Sequence, residues 1–210
     1  MSCGCQKDTA KESVNESMKE STDIVIETME ILAEQIKATT EAVSQNEIYD
    51  MLTTLLTAKE SGNTVFVAGA GRSGLMGRAF AMRLMHMGFK TYVVGDTVTP
   101  AVQKGDVLVA ISGSGNTKSI VEIGSKCKTI GATVIAITSK DGSDLKKLPA
   151  INVILPAKSK DDNSGGPVKT PMGTSFEILA LVFLDSVIMQ LIDLTGVTED
   201  EMKARHANTE

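Results

Sequence analysis

The spacing of hydrophobic positions changes partway along the chain. From Met18, the residues Val25, Met29, Leu32, Ile36 and Val43 recur every three to seven positions, which predicts a helix with one apolar face. Ser44 and Glu47 then stand at capping-box spacing and open a second helix lined by Ile48, Met51, Leu52, Leu55 and Leu56. Ser61-Gly62-Asn63 ends it with a turn. Beyond that turn, short β-branched runs replace the helical spacing: Val65–Ala68, Thr91–Val94, Val107–Ile111, Thr133–Thr138 and Ile151–Leu155 read as strands. Helices are predicted between them over Ser73–Met87 and Asn116–Ile130, with a short one around Ser143–Leu148. A long apolar helix follows from Ser175 to about Leu194. Thr198 and Glu201 repeat the capping-box spacing before a short terminal helix that ends near Arg205-His206.

Strands alternating with helices imply an α/β fold with a mostly parallel sheet and helices on both faces. The expected architecture is five parallel strands in the flavodoxin-like order 2-1-3-4-5, with added N-terminal helices and a C-terminal helix. In such sheets a ligand sits beyond the carboxyl ends of the strands, where the strand order reverses, here between strands one and three. The chain divides into a polar, disordered tail over 1–17 and a single domain over 18–210. Within the domain, N-terminal helices span 18–60, the α/β core 64–156, a lid loop 157–173 and C-terminal helices 174–206.

Composition narrows the partners. The chain has 210 residues, a formal net charge of −5 and 42% hydrophobic residues, enough for a core in one domain. An acidic balance argues against a nucleic-acid partner, whereas a phosphorylated small molecule needs only local donors. Eleven Met and no Trp point to adaptable core filling. Cys3, Cys5 and Cys127 form no disulfide framework and suit a reducing, cytoplasmic location; Cys3 and Cys5 have no second ligand pair for a metal. No signal peptide is visible, and Ile178–Ile192, broken by Asp185 and Gln190, is expected to fall short of a membrane span and to form a buried helix.

Two loops carry the chemistry. Ser112, Gly113, Ser114, Gly115, Asn116 and Thr117 follow a buried strand and precede a helix. Unpaired N–H groups at a helix start, joined by three hydroxyls, suit an anion such as a phosphate. Gly69-Ala70-Gly71-Arg72-Ser73-Gly74 fits G-x-G-x-x-G between a strand and a helix, with Asp96 placed where a dinucleotide's ribose would be met. No second domain for a hydride acceptor is expected, and Ser112–Thr117 is the better anion loop; facing a sugar instead, Arg72 and Ser73 would be donors to its hydroxyls or carbonyl. Glu177 stands three residues after Thr174, so it either caps its own helix or acts as a general base under the lid. Lys158, Lys160 and Lys169 in the lid carry no weight singly. His86 reads as a packed bystander and His206 as the end of the terminal helix.

Together, Gly71-Arg72-Ser73-Gly74, Ser112-Gly113-Ser114-Gly115-Asn116-Thr117 and Thr174-Ser175-Phe176-Glu177 resemble the sugar isomerase (SIS) domain, from about Met18 to the end. Ala81-Met82-Arg83-Leu84-Met85-His86, Pro171-Met172-Gly173 and Arg205-His206-Ala207-Asn208 resemble its 6-phospho-3-hexuloisomerase branch, which serves formaldehyde fixation in the ribulose monophosphate pathway. Thr209 before Glu210 and the cysteine-bearing start depart from that pattern. The resemblance implies that Ser112, Ser114 and Thr117 hold a phosphate, that Glu177 is the base, and that the protein is a homotetramer needing neither metal nor nucleotide. A long apolar helix beside a short terminal one would be covered by other subunits, which would carry His206 into a neighbouring site. Two alternatives stay open: an aldose–ketose isomerase of the same fold, and a phosphosugar-sensing module without catalysis.

Overall fold

A computed structural model describes residues 5–148, 151–157, 170–171 and 173–209, with side chains from residue 22. Five strands form one parallel sheet in the order β2-β1-β3-β4-β5. They are β1 (Thr64–Gly69), β2 (Lys90–Val93), β3 (Val107–Ile111), β4 (Thr133–Thr138) and β5 (Ile151–Ile154). The helices are α1 (Cys5–Ala42), α2 (Gln45–Glu60), α3 (Gly71–His86), α4 (Lys118–Ile130), α5 (Thr174–Thr195) and α6 (Glu199–Ala204).

Strand periodicity sorts the core into two layers. Val65, Val67, Val107, Val109, Ile111, Ile135 and Ile137 face α2, α3 and α5. Phe66, Ala68, Leu108, Ala110, Val134 and Ala136 face α4 on the other side. Strand β3 is buried along its whole length, because it is central and covered on both faces. Each fully buried side chain such as Phe66, Leu108 or Ile135 contributes roughly 1.5–3 kcal/mol of transfer free energy. Gly69 pairs in register with Ile111, so the loops leaving β1 and β3 emerge side by side at the same edge.

Several boundaries differ from those read along the chain. Helix α1 begins at Cys5, thirteen residues before Met18, where a tail was expected; no Pro or Gly interrupts Cys5–Ala42. Its anticipated apolar face is only partly used: Ile36 and Val43 pack on the core, while Val25 and Met29 are exposed on the half that extends past it. Ser44 caps α2 by accepting from Glu47 N (3.4 Å), but the Glu47 carboxylate accepts from Ile154 N (3.3 Å), so it ties α2 to β5 and the box is half formed. The short helix around 143–148 is a 3-10 turn, Leu145–Lys147.

The expectation for Ile178–Ile192 also changes. Helix α5 is long and apolar enough, by length and composition, to cross a membrane. Packing accounts for part of that composition: Phe176, Leu179, Ala180, Leu184, Val187, Ile188 and Leu191 are buried against the core and α1, α2 and α3, while Val182, Met189 and Leu194 are exposed. Lys158, Lys160, Lys169 and most of the lid loop over 157–173 lie outside the described residues.

Candidate active site

Three helix amino termini converge on one cavity of about 280 Å³. Helix α3 brings Gly71, Arg72 and Ser73; the β3–α4 loop brings Ser112, Gly113, Ser114 and Thr117; α5 brings Phe176 and Glu177. None of these three helices has a side-chain hydrogen bond at its N-cap, which is Ala70, Thr117 and Gly173 respectively. Helices α2 and α6 are, by contrast, both capped by a hydroxyl, from Ser44 and Thr198. The helices that open onto the cavity therefore keep their first N–H groups and dipoles available to an anion.

The β3–α4 loop is built as a continuation of the sheet. Ser112 N donates to Ile137 O (3.0 Å), and Ser139 donates to Gly113 O through both its N (2.9 Å) and its Oγ (2.6 Å). The Ser112 hydroxyl is buried and internal: it accepts from Gly115 N (3.2 Å) and shares a hydrogen bond with Thr117 Oγ1 (3.0 Å). The N–H groups of Gly113, Ser114 and Thr117 have no partner among the described residues. Ser114 Oγ accepts from Asn116 N (3.2 Å), which orients that hydroxyl and leaves its proton to donate.

Two expected ligand residues serve the loop instead of the cavity. Gly115 turns its N–H inward onto Ser112, and its φ of +65° places the missing Cβ where it would overlap Ser143 Oγ at 2.2 Å. Asn116 Oδ1 accepts from Asp144 N (2.8 Å), so its side chain braces the loop against the segment after β4. Neither lines the cavity.

Across the cavity, Arg72 Nε donates to Glu177 Oε2 in an ion pair. The carboxylate is mostly buried, at 11% side-chain exposure, while the guanidinium is 59% exposed. Glu177 therefore does not cap α5; its carboxylate belongs to the cavity wall. Phe176 backs Gly113, where a Cβ would stand 2.9 Å from the ring. Phe176 was not singled out as a site residue, although it immediately precedes Glu177; only packing against Gly113 reveals its role.

The glycine-rich turn after β1 also has a structural purpose. A Cβ on Gly74 would lie 2.6 Å from Gly69 O, so the glycines allow α3 to start close against its own strand. Asp96, the candidate ribose acid, is taken by Arg78 through two hydrogen bonds of 2.5 and 3.1 Å. Asp96 raises the Arg78 guanidinium above its ordinary range. Among the described residues, no three His, Cys, Asp or Glu side chains gather to hold a metal ion. Cys127 is buried, and desolvation followed by Asp106 pushes its thiol up, away from reactivity.

His206 lies elsewhere. It stacks on His86 at the carboxyl end of α3, whereas Arg72 sits at the amino end of that sixteen-residue helix. The helix rise puts those ends about 22 Å apart. His206 cannot reach its own chain's cavity from there.

The comparisons agree with this architecture. The SIS domain model matches residues 60–183. A 3-hexulose-6-phosphate isomerase of Bacillus subtilis is 43% identical over 152 residues, covering 71% of this chain and 82% of that protein. A 3-hexulose-6-phosphate isomerase of Methanocaldococcus jannaschii is 37% identical over 183 residues, covering 87% and 97%. A crystal structure of a Methanococcus jannaschii protein, for which a 3-hexulose-6-phosphate isomerase function was inferred, superposes with a TM-score of 0.75 at 36% identity, covering 88% and 99%. With its sheet order, its cavity and these relatives, the chain belongs to the SIS domain family.

Proposed function

We propose that this protein is a ketose isomerase that converts 3-hexulose 6-phosphate to fructose 6-phosphate. The observation that carries the reading is the Glu177 carboxylate, set in the cavity wall against Arg72 and facing an uncapped phosphate loop. The names of the relatives support the same substrate.

The phosphate is held by the N–H groups of Gly113, Ser114 and Thr117 with the hydroxyls of Ser114 and Thr117. That anchors one end of the sugar and presents its carbonyl region to Arg72 and Glu177. Glu177 takes the proton from carbon 2, and the electron pair of that C–H bond forms the carbon 2–carbon 3 double bond of a cis-enediol. Charge moves onto oxygen 3, where the Arg72 guanidinium stabilises it. Glu177 then returns its proton to carbon 3, while the hydroxyl proton of oxygen 2 passes to oxygen 3. The carbonyl has moved from carbon 3 to carbon 2, and no atom is gained or lost. On this reading the reaction serves formaldehyde fixation, as the family resemblance implies.

A group that carries the hydroxyl proton completes the site, and His206 of the partner subunit fits that role. Leu75, Met82 and Met85 form an exposed apolar stripe along α3. Covering that stripe supports association of copies, with a homotetramer expected. In a two-fold pair with α3 helices running antiparallel, the histidine end of one chain meets the Arg72 end of the other.

The test is a substrate panel with the purified full chain. Turnover of 3-hexulose 6-phosphate should exceed that of glucose 6-phosphate and arabinose 5-phosphate, and the unphosphorylated 3-hexulose should lose most of kcat/KM. Equal turnover with and without phosphate, or faster turnover of an aldose phosphate, would overturn the assignment.

A further inference from the structure

His86, at the far end of α3, has no part in the chemistry above. His86 is buried, with 5% of its surface exposed, at the carboxyl end of α3. It stacks on the His206 ring at 5.1 Å between centroids and 27° between planes. The tail is clamped beside it: Arg205 Nη1 donates to His86 O (3.1 Å) and to Glu201 O (3.1 Å). Gly88, with a φ of +81°, turns the chain beside that guanidinium. His206 Nδ1 lies 3.0 Å from Ala207 O. A proton on Nδ1 satisfies that carbonyl and leaves Nε2 as the nitrogen able to relay a hydroxyl proton.

We propose that His86 is a positioning residue for His206, the flat buried surface that fixes the plane in which the imidazole is presented to the partner subunit's site. The proposal rests on the reading that His206 completes that site. The stack fixes the ring plane, the Arg205 clamp fixes the backbone, and the Nδ1 contact fixes the rotation about the ring axis. Burial, then His206, then Arg83 hold the His86 imidazole below its ordinary range. The cations near His86 are Arg83 on α3 and Arg205 on the tail, with Lys59 on α2 near Arg205. Glu201 and, on α5, Asp185, 3.9 Å from Arg83, are the balancing acids.

The experiment uses the full chain with His86→Ala, His86→Phe and His206→Ala. Phenylalanine keeps a flat ring for the stack and alanine removes it. The His206 Cε1–H resonance should carry a ring-current shift in the wild type and in His86→Phe, and lose it in His86→Ala. The His86→Ala protein should lose at least tenfold in kcat with KM and inorganic phosphate inhibition unchanged, and His86→Phe should restore kcat to within about threefold of wild type. A His86→Ala protein with normal kcat beside an inactive His206→Ala overturns the positioning role alone. Equal losses in His86→Ala and His86→Phe also overturn it, since the stack would then be irrelevant. A fully active His206→Ala protein overturns the underlying reading, and the proposal with it.

Discussion

Replacing Glu177 by Gln separates chemistry from architecture. Glutamine keeps the shape and one oxygen for the Arg72 N–H, but it cannot accept a proton from carbon. The structural cost follows from the pair's surroundings: the guanidinium is 59% exposed, so solvent screens it, and such pairs contribute about 0–1 kcal/mol. No helix cap is lost, because α5 begins at Gly173 without a side-chain cap. A chain of this length should then shift in Tm by no more than about 4 °C. The chemical cost is much larger. Loss of a positioned general base lowers kcat by about 10²–10⁴, or ~3–5 kcal/mol in the barrier. Thermal unfolding and steady-state turnover of 3-hexulose 6-phosphate on the same preparation measure both. A stable Glu177→Gln protein with turnover within tenfold of wild type would refute the assignment of the base.

The other expectations concern the anion, the subunits and pH. Ser114→Ala removes a charge-assisted donor worth ~1.5–3 kcal/mol, so KM for the phosphosugar and the inhibition constant for inorganic phosphate should rise together, by roughly tenfold to hundredfold. Glu177→Gln and His206→Ala, each inactive alone, should regain activity when unfolded and refolded together; a mixture that stays inactive would mean that no site is shared between subunits. The pH dependence of stability follows from His86. Its folded value lies below the ordinary 6.5, so the unfolded chain takes up the proton first as pH falls. This contribution is complete above about pH 6.5 and is lost as the pH falls through the folded value. Urea midpoints from pH 7.5 to 5 should therefore drop less in His86→Phe than in the wild type. The groups facing His86 across that range are Arg83, Arg205 and His206, with Lys59, Glu201 and Asp185 behind them.

What could be read along the chain was whatever depends on local pattern. Strands β3 and β4 carry continuous β-branched runs because both faces are buried, and their limits in the structure are the predicted ones, Val107–Ile111 and Thr133–Thr138. The flavodoxin-like order 2-1-3-4-5 places the crevice between strands one and three, after which the two glycine-rich loops come, and the sheet has that order. What depends on distant partners was not legible. Glu47 matches a capping box in spacing, yet Ile154, on a strand more than a hundred residues later, offers its carboxylate a better donor. Glu177 matches one too, and Arg72 takes it. Asn116 has the composition of a ligand, but Asp144 N lies within reach and turns it away from the cavity. Val25 and Met29 share the apolar spacing of Ile36 and Val43, yet only the latter two pack on the core, a distinction that no window of the sequence contains.

The central claim is proton transfer between carbons 2 and 3 of a phosphosugar, and isotope exchange reads it directly. The full-length protein is incubated with fructose 6-phosphate in deuterated water, and the recovered sugar is examined by NMR. Glu177 abstracts from carbon 3 in this direction and exchanges with solvent before returning the proton, so the account predicts deuterium at carbon 3 and none at carbon 1. Deuterium at carbon 1, or an unlabelled sugar after many turnovers' worth of time, would contradict it.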